Sequence, residues 1–383
     1  MSKKYNQTSK IAVAGAAGLY IHVPFCRRKC LYCDFASGTD LALIPNWLAA
    51  LGREMVLYRD FAPRFDTFYF GGGTPSLLTP VQLAGLLNRV QDHFGFAADT
   101  EITLEANPDD LDLPVLKNHR ELGINRLSLG VQSFDDRELA FLGRRHDAAQ
   151  ALRALNWCRA AGFDHLGIDL MYGLPGQTLE AWEKNLDIAL SFQPEHLSCY
   201  QLTLERGTPL ARRQAAGELQ PLPEERAREF FLFTSEFLED RGYLHYEISN
   251  FARGPTHKSR HNCKYWDHTP YLGLGPAAHS YRDGRRWWNH ASLEKYCQAL
   301  DAGQAPVAGR EVLAAADRRL EALYLGLRTW EGVDLDLVRK GHDREAVLQE
   351  ALRTGLGEVR GGRFILTREG MAVADHLTLR FMD

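Results

Sequence analysis

The sequence predicts an α/β protein: a partial, open (β/α) barrel of six units, then an added segment, then a smaller α+β domain resembling a winged helix. Three observations predict it. Between Gly18 and Gln201, six short apolar runs alternate with amphipathic stretches, the pattern of strands and crossover helices around a parallel sheet. Gly95, Gly123 and Gly162 stand just past three of the amphipathic stretches, where a left-handed residue ends a helix at little cost. Near the C-terminal end, Glu358 to Leu366 reads as a hairpin turned on Gly361 and Gly362, with helical stretches on either side.

In chain order, residues 1–18 are expected to be a flexible N-terminus. Lys3 and Lys4 followed by Ile11 to Ala17 superficially imitate a signal peptide, but the apolar run is short and weak for that purpose. The barrel spans 19–205. Its strands are predicted at Leu19–Val23, Thr67–Phe70, Glu101–Glu105, Arg126–Gln132, His165–Met171 and His196–Gln201, and its helices near Pro45–Tyr58, Pro80–Phe94, Leu113–Leu122, Ala148–Ala161 and Leu179–Ser191. Residues 206–302 read as a cap, with a long helix near Pro223–Arg241 and then a Gly-, His- and aromatic-rich stretch from Tyr243 to Trp288. Gly303 to Gly309 is the expected linker to the C-terminal domain, 303–383.

The chain has 383 residues with 45% hydrophobic content, enough for a sizeable core. With 45 Lys and Arg against 49 Asp and Glu, no strong field favours nonspecific binding of nucleic acid. The mixed charges and aromatics of Arg282 to Trp288 make a weak case for RNA, and no nucleic-acid partner is expected. Seven cysteines, three of them within eight positions, argue for a reduced compartment over a disulfide framework. No run reaches the roughly 20 apolar residues of a membrane span. A cytoplasmic protein is expected, with peripheral membrane contact left open.

Chemistry concentrates in Cys26-x-x-x-Cys30-x-x-Cys33, on the loop after the first strand. Three thiolates at this spacing can hold three corners of a [4Fe–4S] cube and leave one iron open. A zinc site completed by His22 is the alternative on spacing alone. Gly71-Gly72-Gly73-Thr74-Pro75 follows the second strand, where glycines admit close backbone approach to a ligand. Glu105, Gln132 and Asp169 each place a polar group at or near the C-terminal end of an apolar strand, the rim where barrel enzymes build their sites. Any one of them, taken singly, reads first as a capping side chain bonded to backbone.

Taken together these motifs resemble, in order along the chain, the signature of radical S-adenosylmethionine (SAM) proteins, so that the fold becomes a partial (β/α)6 radical SAM barrel. The resemblance implies a [4Fe–4S] cluster on Cys26, Cys30 and Cys33. It also implies that Gly72, Gly73 and Thr74 hold the methionine part of SAM, that Glu105, Gln132, Arg144 and Asp169 contact its amino-acid, ribose and neighbouring parts, and that Tyr20 and Tyr32 line the pocket. Tyr20 to Cys26, Gly130 to Phe134 and Asp169 to Pro175 narrow the likeness to the oxygen-independent coproporphyrinogen III dehydrogenase family.

Two departures favour its sister family, the HemW-type haem chaperones. Phe35 stands where the dehydrogenase carries a further cysteine, and only 25 residues precede Cys26. His261-Asn262-Cys263-Lys264-Tyr265-Trp266 also fits the HNxxYW motif that this sister family associates with haem. The resemblance implies haem as a bound group, with His261 as an axial ligand and Cys263, His257 or His279 in reserve, and client haemoproteins as partners. An electron donor and a homodimer are compatible with it. Arg27, Arg28 and Lys29 read either as offsetting the anionic cluster or attracting propionates or as a plain solvated loop, and Cys158, Cys199 and Cys297 read as core or near-surface thiols.

Overall fold

The computed structural model describes residues 16–339 and 344–382; most of the expected flexible N-terminus, 1–15, lies outside them. Six parallel strands run in sequence order: β1 (Ala17–Val23), β2 (Phe65–Gly72), β3 (Phe96–Ala106), β4 (Arg126–Gln132), β5 (Leu166–Tyr172) and β6 (His196–Gln201). Between them lie α1 (Ile44–Leu57), α2 (Pro80–His93), α3 (Leu113–Glu121), α4 (Asp136–Leu142), α5 (Ala148–Ala160) and α6 (Leu179–Ser191). Alternation explains the barrel wall. Leu19, Ile21 and Val23, Phe68 and Phe70, Leu127 and Leu129, and Ile168 and Leu170 all join the apolar core with the helices. The intervening Tyr20, Tyr69, Glu105, Ser128 and Asp169 are left for the polar interior.

The segment after β6 continues with α7 (Pro209–Ala215), α8 (Glu224–Glu239), β7 (Leu244–Glu247), β8 (Asn250–Ala252), α9 (Arg260–Trp266), β9 (Tyr271–Leu274), β10 (His279–Arg282), β11 (Arg285–Asn289), α10 (Leu293–Asp301) and β12 (Val307–Val312). It is more than a cap. Its strands extend both edges of one sheet, in the order β12-β11-β10-β9-β1-β2-β3-β4-β5-β6-β8-β7. The expected linker therefore runs into this sheet, because β12 pairs antiparallel with β11. Arg286, in the stretch weighed for RNA, is committed to Glu311 and Glu321.

The rest forms its own core: α11 (Ala315–Leu327), β13 (Val333–Asp334), α12 (Leu335–Arg339), α13 (Arg344–Arg353), β14 (Gly357–Arg360), β15 (Arg363–Leu366), α14 (Arg368–Met371) and α15 (Ala374–Met382). The hairpin turns on Gly361 and Gly362, both at positive φ. Helix α11, strand β13, helices α12 and α13 and the β14–β15 hairpin follow in that order, with the antiparallel sheet ordered β13-β15-β14, and make the expected winged-helix arrangement. No described helix is long and apolar enough to cross a membrane.

Candidate active site

A cavity of about 370 Å³ opens at the C-terminal ends of β1–β6. Cys26, Cys30 and Cys33 line it together with Tyr32, Gly72, Gly73, Thr74, Glu105, Gln132, Arg144 and Asp169. The β1–α1 loop that carries the thiols is closed at its base, where the Cys26 amide donates to the Gly38 carbonyl (2.9 Å) and the Gly38 amide to that of Pro24 (2.9 Å). His22 fastens it further: its Nε2–H donates to the Ala36 carbonyl (2.7 Å), which leaves Nδ1 to accept from the Tyr20 hydroxyl (3.1 Å). Both ring nitrogens are thus engaged, and His22 has none left for zinc. Among the described residues no three His, Cys, Asp or Glu side chains converge on a single-ion position. Three soft sulfur donors lining one cavity are a donor set that suits an iron–sulfur cluster held by three cysteines.

The remaining polar groups are interlocked. Arg144 Nη1 donates to Cys30 Sγ (3.3 Å), while its Nη2 donates to Asn107 Oδ1 (2.5 Å) and the Gly130 carbonyl (2.6 Å). Thr74 Oγ1 donates to Cys26 Sγ (3.4 Å) and accepts from Asn107 Nδ2 (3.2 Å). Glu105 accepts from the Tyr69 hydroxyl (2.8 Å) and the Gly72 amide (3.1 Å). Burial raises its carboxyl to about 7, with the nearby Asp169 charge adding to the shift. Asp169, held by Ser128 Oγ at 3.1 Å, is raised by burial to about 6. Gln132 sits at φ +70° with its Oε1 buried and unpaired. A buried polar atom without a partner is costly, and Gln132 lines a cavity whose other groups suit a polar, partly cationic ligand.

Comparison with known proteins fits this geometry. The Radical SAM superfamily model matches residues 20–189, and the HemN C-terminal domain model matches 313–373. A Mycobacterium tuberculosis protein named heme chaperone HemW is 38% identical over 94% of this chain and 93% of its own length. The Bacillus subtilis protein of that name is 33% identical over 95% and 98%. The chain belongs to the HemW family of radical SAM proteins. Escherichia coli coproporphyrinogen III oxidase (HemN), described as a radical SAM enzyme, shares the fold, with a TM-score of 0.80 at 24% identity over 96% of this chain and 90% of its own.

Two expected residues of this HemW-family chain lie elsewhere. Tyr20 does not line the cavity; it sits one layer below, stacked against Tyr69 with ring centroids 6.1 Å apart. His261 is 1% exposed and lies deeper still, with Nδ1 2.9 Å from Thr67 Oγ1 and Nε2 2.8 Å from Tyr265 Oη. An imidazole buried with both nitrogens bonded is not available to a haem iron in this arrangement. Burial also lowers its pKa to about 3, so it is neutral at any ordinary pH.

Sequence reasoning missed Tyr69, Asn107, Ser128 and α4. The last had a signal: Asp135 caps its N-terminus, Asp136 and Glu138 fill its first turn, and Gly143 ends it at φ +72°. Its C-terminal end docks on the cluster loop, where the Leu31 amide donates to the Leu142 carbonyl (3.1 Å) and Arg28 Nη2 to the Gly143 carbonyl (2.8 Å). That contact delivers Arg144 to Cys30.

Proposed function

We propose that the protein is a haem chaperone that binds haem and passes it to client haemoproteins while carrying a [4Fe–4S] cluster on Cys26, Cys30 and Cys33 and SAM in the adjoining cavity. The observation that carries this reading is 38% and 33% sequence identity, over nearly the full length, to two bacterial proteins named heme chaperone HemW. When bound, the cluster would supply an electron to SAM at its open iron. The chain's own residues orient and shield: Thr74 and Arg144 steady two of the thiols, and Glu105, Gln132 and Asp169 present acceptors to the cofactor. Phe35, 56% exposed at the cavity mouth, holds the position where the dehydrogenase family has its further cysteine. The test is anaerobic reconstitution followed by two assays. Haem binding without conversion of coproporphyrinogen III is expected; turnover with SAM and a reductant would overturn the reading.

Glu105 makes SAM binding pH-dependent. A carboxyl at about 7 must lose its proton to act as an acceptor for a cationic ligand, so affinity falls below neutrality by up to about tenfold per pH unit. The sign in the empty protein is the reverse. A carboxyl raised above its unfolded value of about 4.3 contributes stability below that value, and the contribution is lost as pH rises through about 7. Equilibrium dialysis of SAM at about pH 6 and about pH 8 checks the first effect, and Glu105→Gln should flatten the profile while weakening binding at the higher pH.

Haem itself is assigned to the other face of the HNxxYW helix. Whereas His261 and Tyr265 point into the barrel, Cys263 and Trp266 border a groove of about 610 Å³ between α9 and the C-terminal domain, with Tyr246 and Trp330 as aromatic walls. Clefts between domains with aromatic walls are common ligand sites. Burial pushes the Cys263 thiol up to about 12, so iron must displace its proton and haem retention should strengthen as pH rises. Cys263→Ser is expected to shift the Soret band and weaken retention. An unchanged spectrum would rule out Cys263 as the ligand.

A further inference from the structure

We infer that His261 is a positioning residue of the SAM cavity: its imidazole is the floor on which Tyr69 and Tyr20 rest, and through them it holds Glu105 and the cluster loop in place. This rests on the reading of that cavity as a SAM site.

Helix α9 enters the barrel from the N-terminal ends of the strands. Its first two amides, Arg260 and His261, donate to Glu101 Oε2 (3.2 Å) and Oε1 (3.1 Å) in β3. Lys264 Nζ, 9% exposed, anchors the next turn to the Ala16 carbonyl (2.8 Å) and Asp66 (2.8 Å). Gly18 makes room, since a Cβ there would stand 2.9 Å from Lys264 Cδ and 3.2 Å from His261 Cε1. The imidazole is then clamped between the Thr67 and Tyr265 hydroxyls. Its plane lies 27° from the Tyr69 ring at 5.1 Å and 28° from the Tyr20 ring at 6.3 Å.

Two chains of contacts rise from this one ring. Tyr69 carries its hydroxyl to Glu105, whose other oxygen takes the Gly72 amide. Tyr20 carries its hydroxyl to His22, which bonds the Ala36 carbonyl of the cluster loop. Both tyrosines pack closely over Gly71, where a Cβ would meet the Tyr20 ring at 2.8 Å and the Tyr69 ring at 3.0 Å, and the imidazole is the second surface that both rings share. Removing the imidazole opens a void under both rings and leaves the Thr67 and Tyr265 hydroxyls unpaired, and the nearest consequence is misplacement of the Glu105 carboxylate.

Cluster-loaded protein is compared as wild type, His261→Ala, His261→Phe, Tyr69→Phe and the His261→Ala/Tyr69→Phe double variant. Cluster iron, SAM affinity and the change that SAM causes in the electron paramagnetic resonance of the reduced cluster are measured. His261→Ala should keep its iron and lose SAM affinity by about tenfold or more, with the double variant little worse than either single one, because both losses run through the same Tyr69–Glu105 bond. His261→Phe, which keeps a ring under Tyr69, should lose less. A purely structural role would lower thermal stability without moving SAM affinity or the resonance. SAM affinity unchanged in folded His261→Ala, or losses that add in full with Tyr69→Phe, would overturn the inference. Absence of SAM binding by the wild type would overturn the reading of the cavity itself.

Discussion

Serine in place of Cys26, Cys30 or Cys33 is expected to abolish the cluster outright. Each thiolate holds one corner, so losing one leaves two protein ligands for four irons, and a serine hydroxyl is a poor substitute for a soft thiolate donor. The three are not equivalent in support. Cys26 receives the Thr74 hydroxyl and Cys30 the Arg144 guanidinium, so Thr74→Val and Arg144→Met should each leave a cluster that assembles but decays faster in air. Cys199→Ser is the control. That thiol is buried among apolar side chains on the outer face of β6, and a hydroxyl there costs about 1–3 kcal/mol of stability with no effect on the cluster. Iron and sulfide analysis together with visible absorption checks all of these; stoichiometric zinc in anaerobically purified protein would contradict the cluster.

The barrel was readable because its strands obey a simple rule over several residues. Leu127, Leu129 and Val131 face the helices, Ser128 and Gly130 face the interior, and each strand repeats the pattern long enough to be seen. Strands β7–β12 defeat the same reading. Most are only three to five residues long, and β9 joins the sheet by pairing with β1 from the far end of the barrel, a contact that no local pattern records. The cavity residues were legible for the same reason as the strands, since a lone Glu105 or Asp169 interrupting an apolar run has few places to go except the strand end. His261 was misplaced because a histidine in a polar stretch looks exposed. What buries it is the polar interior of the barrel, where Thr67 and Tyr265 offer hydroxyls to both ring nitrogens, and nothing in the local sequence shows that α9 turns into that interior.

Adding one methyl group at Gly73 should disable the site, whereas adding it at Gly85 should stabilise the protein. A Cβ on Gly73 would stand 2.6 Å from the Phe25 carbonyl oxygen and 2.9 Å from both the Phe25 nitrogen and the Val23 oxygen. All three are backbone atoms, so no side chain can swing away to relieve the clash. The Gly73 amide also donates to the Val23 carbonyl (2.8 Å), which fixes the two segments against each other. Gly73→Ala must therefore break that bond or displace Phe25, and Phe25 is bonded directly to Cys26. Either movement pulls a cluster ligand out of line with its partners and tilts the neighbouring Thr74 away from Cys26. The expected result is a destabilisation of about 1–3 kcal/mol, as for strain that packing cannot absorb, with little cluster retained and SAM binding lost. Gly85 lies exposed inside α2, with nothing within 4 Å of where its Cβ would be. Alanine there narrows the unfolded ensemble without a clash, and Gly85→Ala should gain about 0.5–1 kcal/mol. Thermal unfolding of the two variants beside iron and SAM-binding assays separates the cases, and an intact, SAM-binding cluster in Gly73→Ala would mean that the β2 glycines do not brace the cluster loop.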